Sequence, residues 1–101
     1  MLVVTVIMAT AHLLLLGVWA VVLLACGQTA DFETSLYLSA ENYTSLGYGD
    51  IVPTGSWRLL GPLEAMNGLL LFGLSTAVMF AVMSRLVVKR VAQLEEPSPW
   101  R

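Results

Sequence analysis

Charge is scarce in this sequence and absent from two long parts of it. Residues 1–30 and 65–84 contain no Asp, Glu, Lys or Arg. Charged residues make up 12% of the chain and hydrophobic ones 57%, with a mean hydropathy of +0.79. Soluble domains carry about 25% charged residues, so this balance excludes an ordinary soluble domain and points to lipid. Cysteine is nearly missing as well, and Cys26 alone excludes an internal disulfide framework. One histidine, His12, cannot build a metal site by itself. No nucleophile–base–acid set and no phosphate-binding loop is present, so an enzyme, a cofactor or a small-molecule substrate finds no support. A net charge of −2 gives no reason to expect a nucleic-acid partner, and there is no internal repeat.

What is present is two apolar runs of spanning length. A helix rises about 1.5 Å per residue and the hydrocarbon core is about 30 Å thick. Residues 65–84 alone are long enough to cross it, and residues 2–26 cross with room for tilt. Asp31, Glu33, Glu41 and Asp50 lie between the runs, offset there by Arg58 alone, while Arg85, Lys89 and Arg90 follow the second run. The positive-inside rule then places the C-terminus in the cytoplasm. Two spans return the N-terminus to the same side, with the acidic middle outside. The first run has a competing reading, because Leu23-Leu24-Ala25-Cys26 looks like a lipoprotein cleavage box. A signal peptide should open with basic residues and carry an apolar core of about 7–15 residues. This run has no basic residue and is far longer, which favours an uncleaved anchor with Cys26 as a free thiol at its outer end.

The elements can be placed within one domain, 1–101. The first helix is expected over 2–26, followed by a turn at Gly27-Gln28-Thr29-Ala30. Asp31 or Thr34 then caps a short helix over 34–44, with Glu33 near its positive end. An apolar helix this short cannot span a bilayer and suits a re-entrant position. Irregular backbone at membrane depth is tolerated only where protein or a watery cavity surrounds it. The second long helix is expected over 57–91. Gly61 as cap, Pro62 as first helical residue and Glu64 as third-position acid mark one start. An earlier start near Ser56–Trp57 would put Pro62 at a bend. Trp57 suits the outer aromatic belt, and residues 92–101, with Glu95, Glu96, Pro97 and Pro99, read as a disordered tail.

Between the short helix and the second span stands Thr44-Ser45-Leu46-Gly47-Tyr48-Gly49-Asp50. A potassium ion leaves its water shell only where other oxygens replace it at similar energy. Backbone carbonyls do this when an extended loop turns successive oxygens to one axis. Gly47 and Gly49 suit such a loop, because alternate residues need dihedrals that a Cβ resists. The order helix, short helix, Gly-Tyr-Gly-Asp, helix resembles the pore module of potassium channels, and specifically the bacterial two-transmembrane ion channels. The resemblance covers roughly residues 12–88.

That resemblance implies an all-α membrane protein: two transmembrane helices flank a re-entrant pore helix and a selectivity-filter loop at 45–50. It implies a homotetramer in a bacterial inner membrane, passing K+ passively, since oxygens from one chain cannot encircle an ion. Closed rotational symmetry is the usual solution. The carbonyls of Ser45, Leu46, Gly47 and Tyr48 become the ion ligands, Gly49 completes the filter, and Thr44, Glu41, Asp50 and Tyr37 support it. Each short helix would aim a C-terminal end of about −0.5 charge at the pore. Ser45 and Leu46 depart from the usual Thr and Val, which leaves the strictness of selectivity open. Glu41 and Asp50 match a carboxyl pair behind the filter that would tend to share one proton. Their other reading is as solvated acids at the outer mouth. Tyr37 resembles the aromatic cuff, whereas Tyr43 stands at a position more often small and receives no role.

Phe72, Thr76 and Phe80 recur at i, i+4 and i+8 and share one helix face. That face lines the inner cavity, with Phe80 or Met83 as a constriction, or else packs against lipid or the first helix. Gly68 resembles the hinge glycine of inner helices, with Gly73 as competitor. Ala77 and Ala81 suit close helix contact. Glu64 and Asn67 are expected in helix capping and subunit packing near the outer surface. His12 is expected to hydrogen-bond within the bundle. The alternatives are a non-selective cation pore, a potassium transporter unit, and a structural membrane subunit or lipoprotein without conduction. Transporters of that kind join four such units and usually keep one filter glycine, which this chain does not match.

Overall fold

The computed structural model describes residues 1–100, and among them every regular element is helical. Helix α1 runs Leu2–Ala25, α2 Phe32–Tyr43 and α3 Leu60–Glu95, with a single 3-10 turn at Gly55–Trp57. The chain is 74 Å long and only 19 Å across. Both α1 and the segment ending in α3 are long and apolar enough to cross a membrane. Few of the residues in these apolar segments are buried within the chain, which is the reverse of a soluble core helix.

Helix α1 satisfies its own polar side chains. The Thr5 and Thr10 hydroxyls donate to the carbonyls of Met1 and Val6, so neither is left unpaired in lipid. It stops because Gly27 turns left-handed, at φ 71. The Gly27 amide then bonds the Leu24 carbonyl and the Gln28 amide the Leu23 carbonyl, a Schellman motif. Asp31 starts α2, its side chain accepting from the Thr34 amide at 2.8 Å. Hydrogen bonds from the Thr34 side chain and amide hold the Asp31 carboxyl below its ordinary value. Of the two capping candidates Asp31 takes the role, and α2 begins two residues before position 34.

The start of α3 differs from both sequence readings. The cap is Leu59, and Gly61 and Pro62 lie inside the first turn, where a missing amide costs nothing. No bend at Pro62 is needed. At the other end the helix continues through Glu95, so 92–95 are helical rather than part of a disordered tail. Val91-Ala92-Gln93-Leu94-Glu95 contains no breaker. The helix ends where Pro97 forces Glu96 into an extended conformation, with ψ 129. Arg101, the last residue of the expected tail, lies outside the described residues.

The core gathers around α2, which sits between the two long helices. Ala20 and Leu23 of α1, Ser35, Leu38, Ser39, Glu41 and Tyr43 of α2, and Glu64 of α3 are buried. Among the glycines, Gly68 is the one with backbone packed tightly against it: a Cβ there would lie 1.9 Å from the Tyr43 carbonyl oxygen. Only glycine lets the end of α2 rest on α3.

Candidate functional site

Helix α2 ends with the same motif as α1, but with serine in the glycine position. The Ser45 amide bonds the Asn42 carbonyl, the Leu46 amide bonds the Glu41 carbonyl, and Ser45 has φ 61. Gly47 and Gly49 follow with φ 61 and 77, whereas Leu46 and Tyr48 do not have positive φ. In a strand, successive carbonyls point to opposite sides. Reversing the sign of φ at every second residue is the pattern that can turn them to one side. The need at Gly47 and Gly49 is one of backbone conformation, since a Cβ at either would meet no close atom.

Both limbs of this loop are tied down. The Tyr37 hydroxyl of α2 donates to Asp50 Oδ2 at 2.9 Å, and the Thr54 amide donates to Gln28 Oε1 at 2.8 Å. Thr44 returns its hydroxyl to the Ala40 carbonyl at 2.6 Å. The bond to Asp50 pushes the Tyr37 phenol up to about 12. The same bond, as acceptor, holds the Asp50 carboxyl below its ordinary value. Burial, and then the negative charge of Asp50, push the Glu41 carboxyl upward. Glu41 is 3% exposed and its Oε1 has no hydrogen-bond partner. The two carboxyls therefore lean in opposite directions, with Glu41 the one that favours a proton. Asp50 stays exposed, so the solvated reading fits Asp50 and fails for Glu41.

A second cluster secures the base of the loop. His12 Nδ1 is 2.8 Å from the Tyr43 hydroxyl and its Nε2 is 2.8 Å from Ser75 Oγ. The His12 ring stacks on Phe72 at 4.4 Å, and Tyr43 meets both rings edge-on. One residue from each of the other two helices, His12 and Phe72, thus converges on Tyr43, immediately before the loop.

The sequence pattern of the ion channel family matches residues 2–85. This chain belongs to that family. The channel chain is also 30% identical over 67 residues to the calcium-gated potassium channel TvoK of Thermoplasma volcanium. That similarity covers 65% of the channel chain and 19% of the relative, so the chain spans about a fifth of the relative's length. No solved structure matches.

The remaining sequence-derived residues of the channel are distributed as follows. Gly68 lies under the Tyr43 carbonyl, whereas Gly73 has nothing near its missing Cβ. Phe72 packs within the chain on His12 and Tyr43. Thr76 bonds its hydroxyl to the Phe72 carbonyl, and Phe80 and Met83 are exposed. Glu64 departs from expectation. It does not cap α3; it is fully buried against Ser39 and Asn42 of α2, because α2 packs over the first turns of α3. Glu64 and Tyr43 were the residues whose importance the sequence understated. The signal for Glu64 was a lone acid placed inside an apolar helix, next to the apolar run 65–84.

Proposed function

We propose that this ion channel chain is the pore-forming subunit of a potassium-selective channel, with four copies around one axis. The carbonyls of Ser45, Leu46, Gly47 and Tyr48 replace the hydration shell of K+, and Gly49 closes the filter at its outer end. The observation that carries this reading is positive φ at Ser45, Gly47 and Gly49 in alternation, directly after a helix C-terminus. That helix end offers a partial negative charge to a cation. Tyr37, Glu41, Thr44 and Asp50 hold the loop in place, Phe80 and Met83 line the inner cavity with Thr76, and Gly68 seats the filter on α3. Arg85, Lys89 and Arg90 favour cytoplasmic termini. The similarity to a calcium-gated potassium channel supports the choice of ion.

The test is the reversal potential across a planar bilayer holding the purified protein, with K+ on one side and Na+ on the other. A shift toward the potassium equilibrium potential, abolished in Gly47→Ala, is the expected outcome. The substitution puts a Cβ at φ 61, a conformation that costs an L-residue about 1–2 kcal/mol. Current reversing near zero in the wild type would favour a non-selective pore. Leu46 motivates that second reading, because it lacks the β-branching that restricts a backbone.

A further inference from the structure

Glu64 is the one acidic side chain of the apolar half of α3, it is fully buried, and its hydrogen-bond partners are all neutral. Its Oε1 lies 2.5 Å from Ser39 Oγ, and its Oε2 accepts from Asn42 Nδ2 at 3.3 Å. Ser39 Oγ also lies 2.7 Å from the backbone carbonyl oxygen of Leu16, in α1. These contacts contain a proton-counting problem. A serine hydroxyl has one hydrogen, and a carbonyl oxygen has none to give. Two short O···O contacts at Ser39 need two protons. If Ser39 donates to Leu16, the second proton must come from Glu64. If Ser39 instead donates to a Glu64 carboxylate, two bare oxygens face each other at 2.7 Å in a buried site.

We infer that Glu64 is held as a neutral carboxylic acid, donating its proton to Ser39, which donates to the Leu16 carbonyl. The chain Glu64–Ser39–Leu16 then runs in one direction across α3, α2 and α1. Each oxygen has a defined role, and Asn42 supplies the carboxyl group's remaining oxygen with a donor. Two effects compete over the charge state. The amino end of α3 is four residues away and its dipole favours an anion, but that influence fades within the first turn. Burial without a cationic partner opposes the anion more strongly. The groups facing Glu64 are Ser39 and Asn42 of α2 and the Leu16 carbonyl of α1. Tyr43, further along α2, is the titratable group close enough to sense its charge. Glu64 is therefore a positioning residue. It touches no ion path and acts by fixing the angle at which α2 delivers the loop.

Two measurements test this, and the first does not depend on conduction. Infrared spectra of the purified protein in lipid at neutral pH should contain the C=O stretch of a protonated carboxylic acid that Glu64→Gln removes. Glu41→Gln serves as control, since Glu41 is the other buried carboxyl. Ser39→Ala, which removes the acceptor while leaving α2 helical, should move the Glu64 band without abolishing it. A spectrum whose protonated-acid band is unchanged in Glu64→Gln and in Ser39→Ala overturns the inference. The second measurement is potassium flux into liposomes as a function of pH, and it rests on the pore reading above. Glutamine preserves a neutral donor and acceptor, so Glu64→Gln should keep flux within about twofold at neutral pH. Glu64→Leu leaves Ser39 and Asn42 short of partners and should lower flux by about tenfold or more. Wild-type flux should fall under alkaline conditions where Glu64→Gln holds. If Glu64→Gln is as damaged as Glu64→Leu, the ionised form is the working one and the inference fails.

Discussion

Ser45 occupies a backbone conformation for which the end of α1 uses glycine. The two Schellman motifs are otherwise alike, so the chain tolerates a strain of about 1 kcal/mol or more at Ser45. Ser45→Gly should accordingly raise the thermal stability of the purified protein by about 1 kcal/mol, and Ser45→Ala should not. Both should weaken the stabilisation that added K+ gives, which a melting series over K+ concentration would measure. Tyr37 makes a different prediction. Its phenol is raised to about 12, so its contribution is fully present below the ordinary tyrosine value of about 10 and is lost as pH rises through the folded value. The Asp50 carboxyl is depressed, so its contribution is present above the ordinary carboxylate range and is lost as pH falls through the folded value. In Tyr37→Phe, open-channel lifetimes should shorten at neutral pH, and the part of their alkaline decline that centres near pH 12 should disappear. An unchanged alkaline profile in that variant would remove Tyr37 from the loop's support.

Among the helices, the decisive contact is the end of α2 on Gly68. A Cβ there would strike backbone rather than a flexible side chain. Gly68→Ala should therefore cost about 3 kcal/mol or more, read by thermal unfolding. Gly73→Ala meets no neighbour and should gain up to about 1 kcal/mol of helix propensity. Equal tolerance of the two substitutions would contradict the packing. Tyr43→Phe should cost about 1–3 kcal/mol by leaving the imidazole of His12 without one partner. The sequence made the long helices legible, because two runs without charge admit little else; Gly47 and Gly49 followed from the loop pattern, and Tyr37 from the resemblance to potassium-channel pores. It did not make Tyr43 legible, since His12 lies 31 residues away and its other partner Ser75 another 63 from His12. Such convergence leaves no local period to read. Glu64 was misread for a related reason: an acid near a helix start looks like a cap until a second helix is laid over it. Phe72 shared a face with Thr76 and Phe80 by spacing, yet its ring is taken up by His12 and Tyr43.

At the scale of the whole molecule, a narrow rod with its apolar side chains facing outward needs company. Leu13, Leu14 and Val18 of α1 and Leu69, Leu70 and Phe80 of α3 are all exposed, and lipid or neighbouring copies must cover them. Light scattering in detergent should give a protein mass four times the 11.0 kDa of one chain. A monomer would leave the loop without its ring of oxygens. The 36 residues of α3 extend about 54 Å, against about 30 Å of hydrocarbon. Seated at Gly68, in its third turn, α3 has its fulcrum under Tyr43. Arg90 stands about 33 Å from that fulcrum and Leu60 about 12 Å on the other side. A push on the basic end would thus be balanced by a nearly threefold larger load at the Leu60 end, on the far side of the loop's seat.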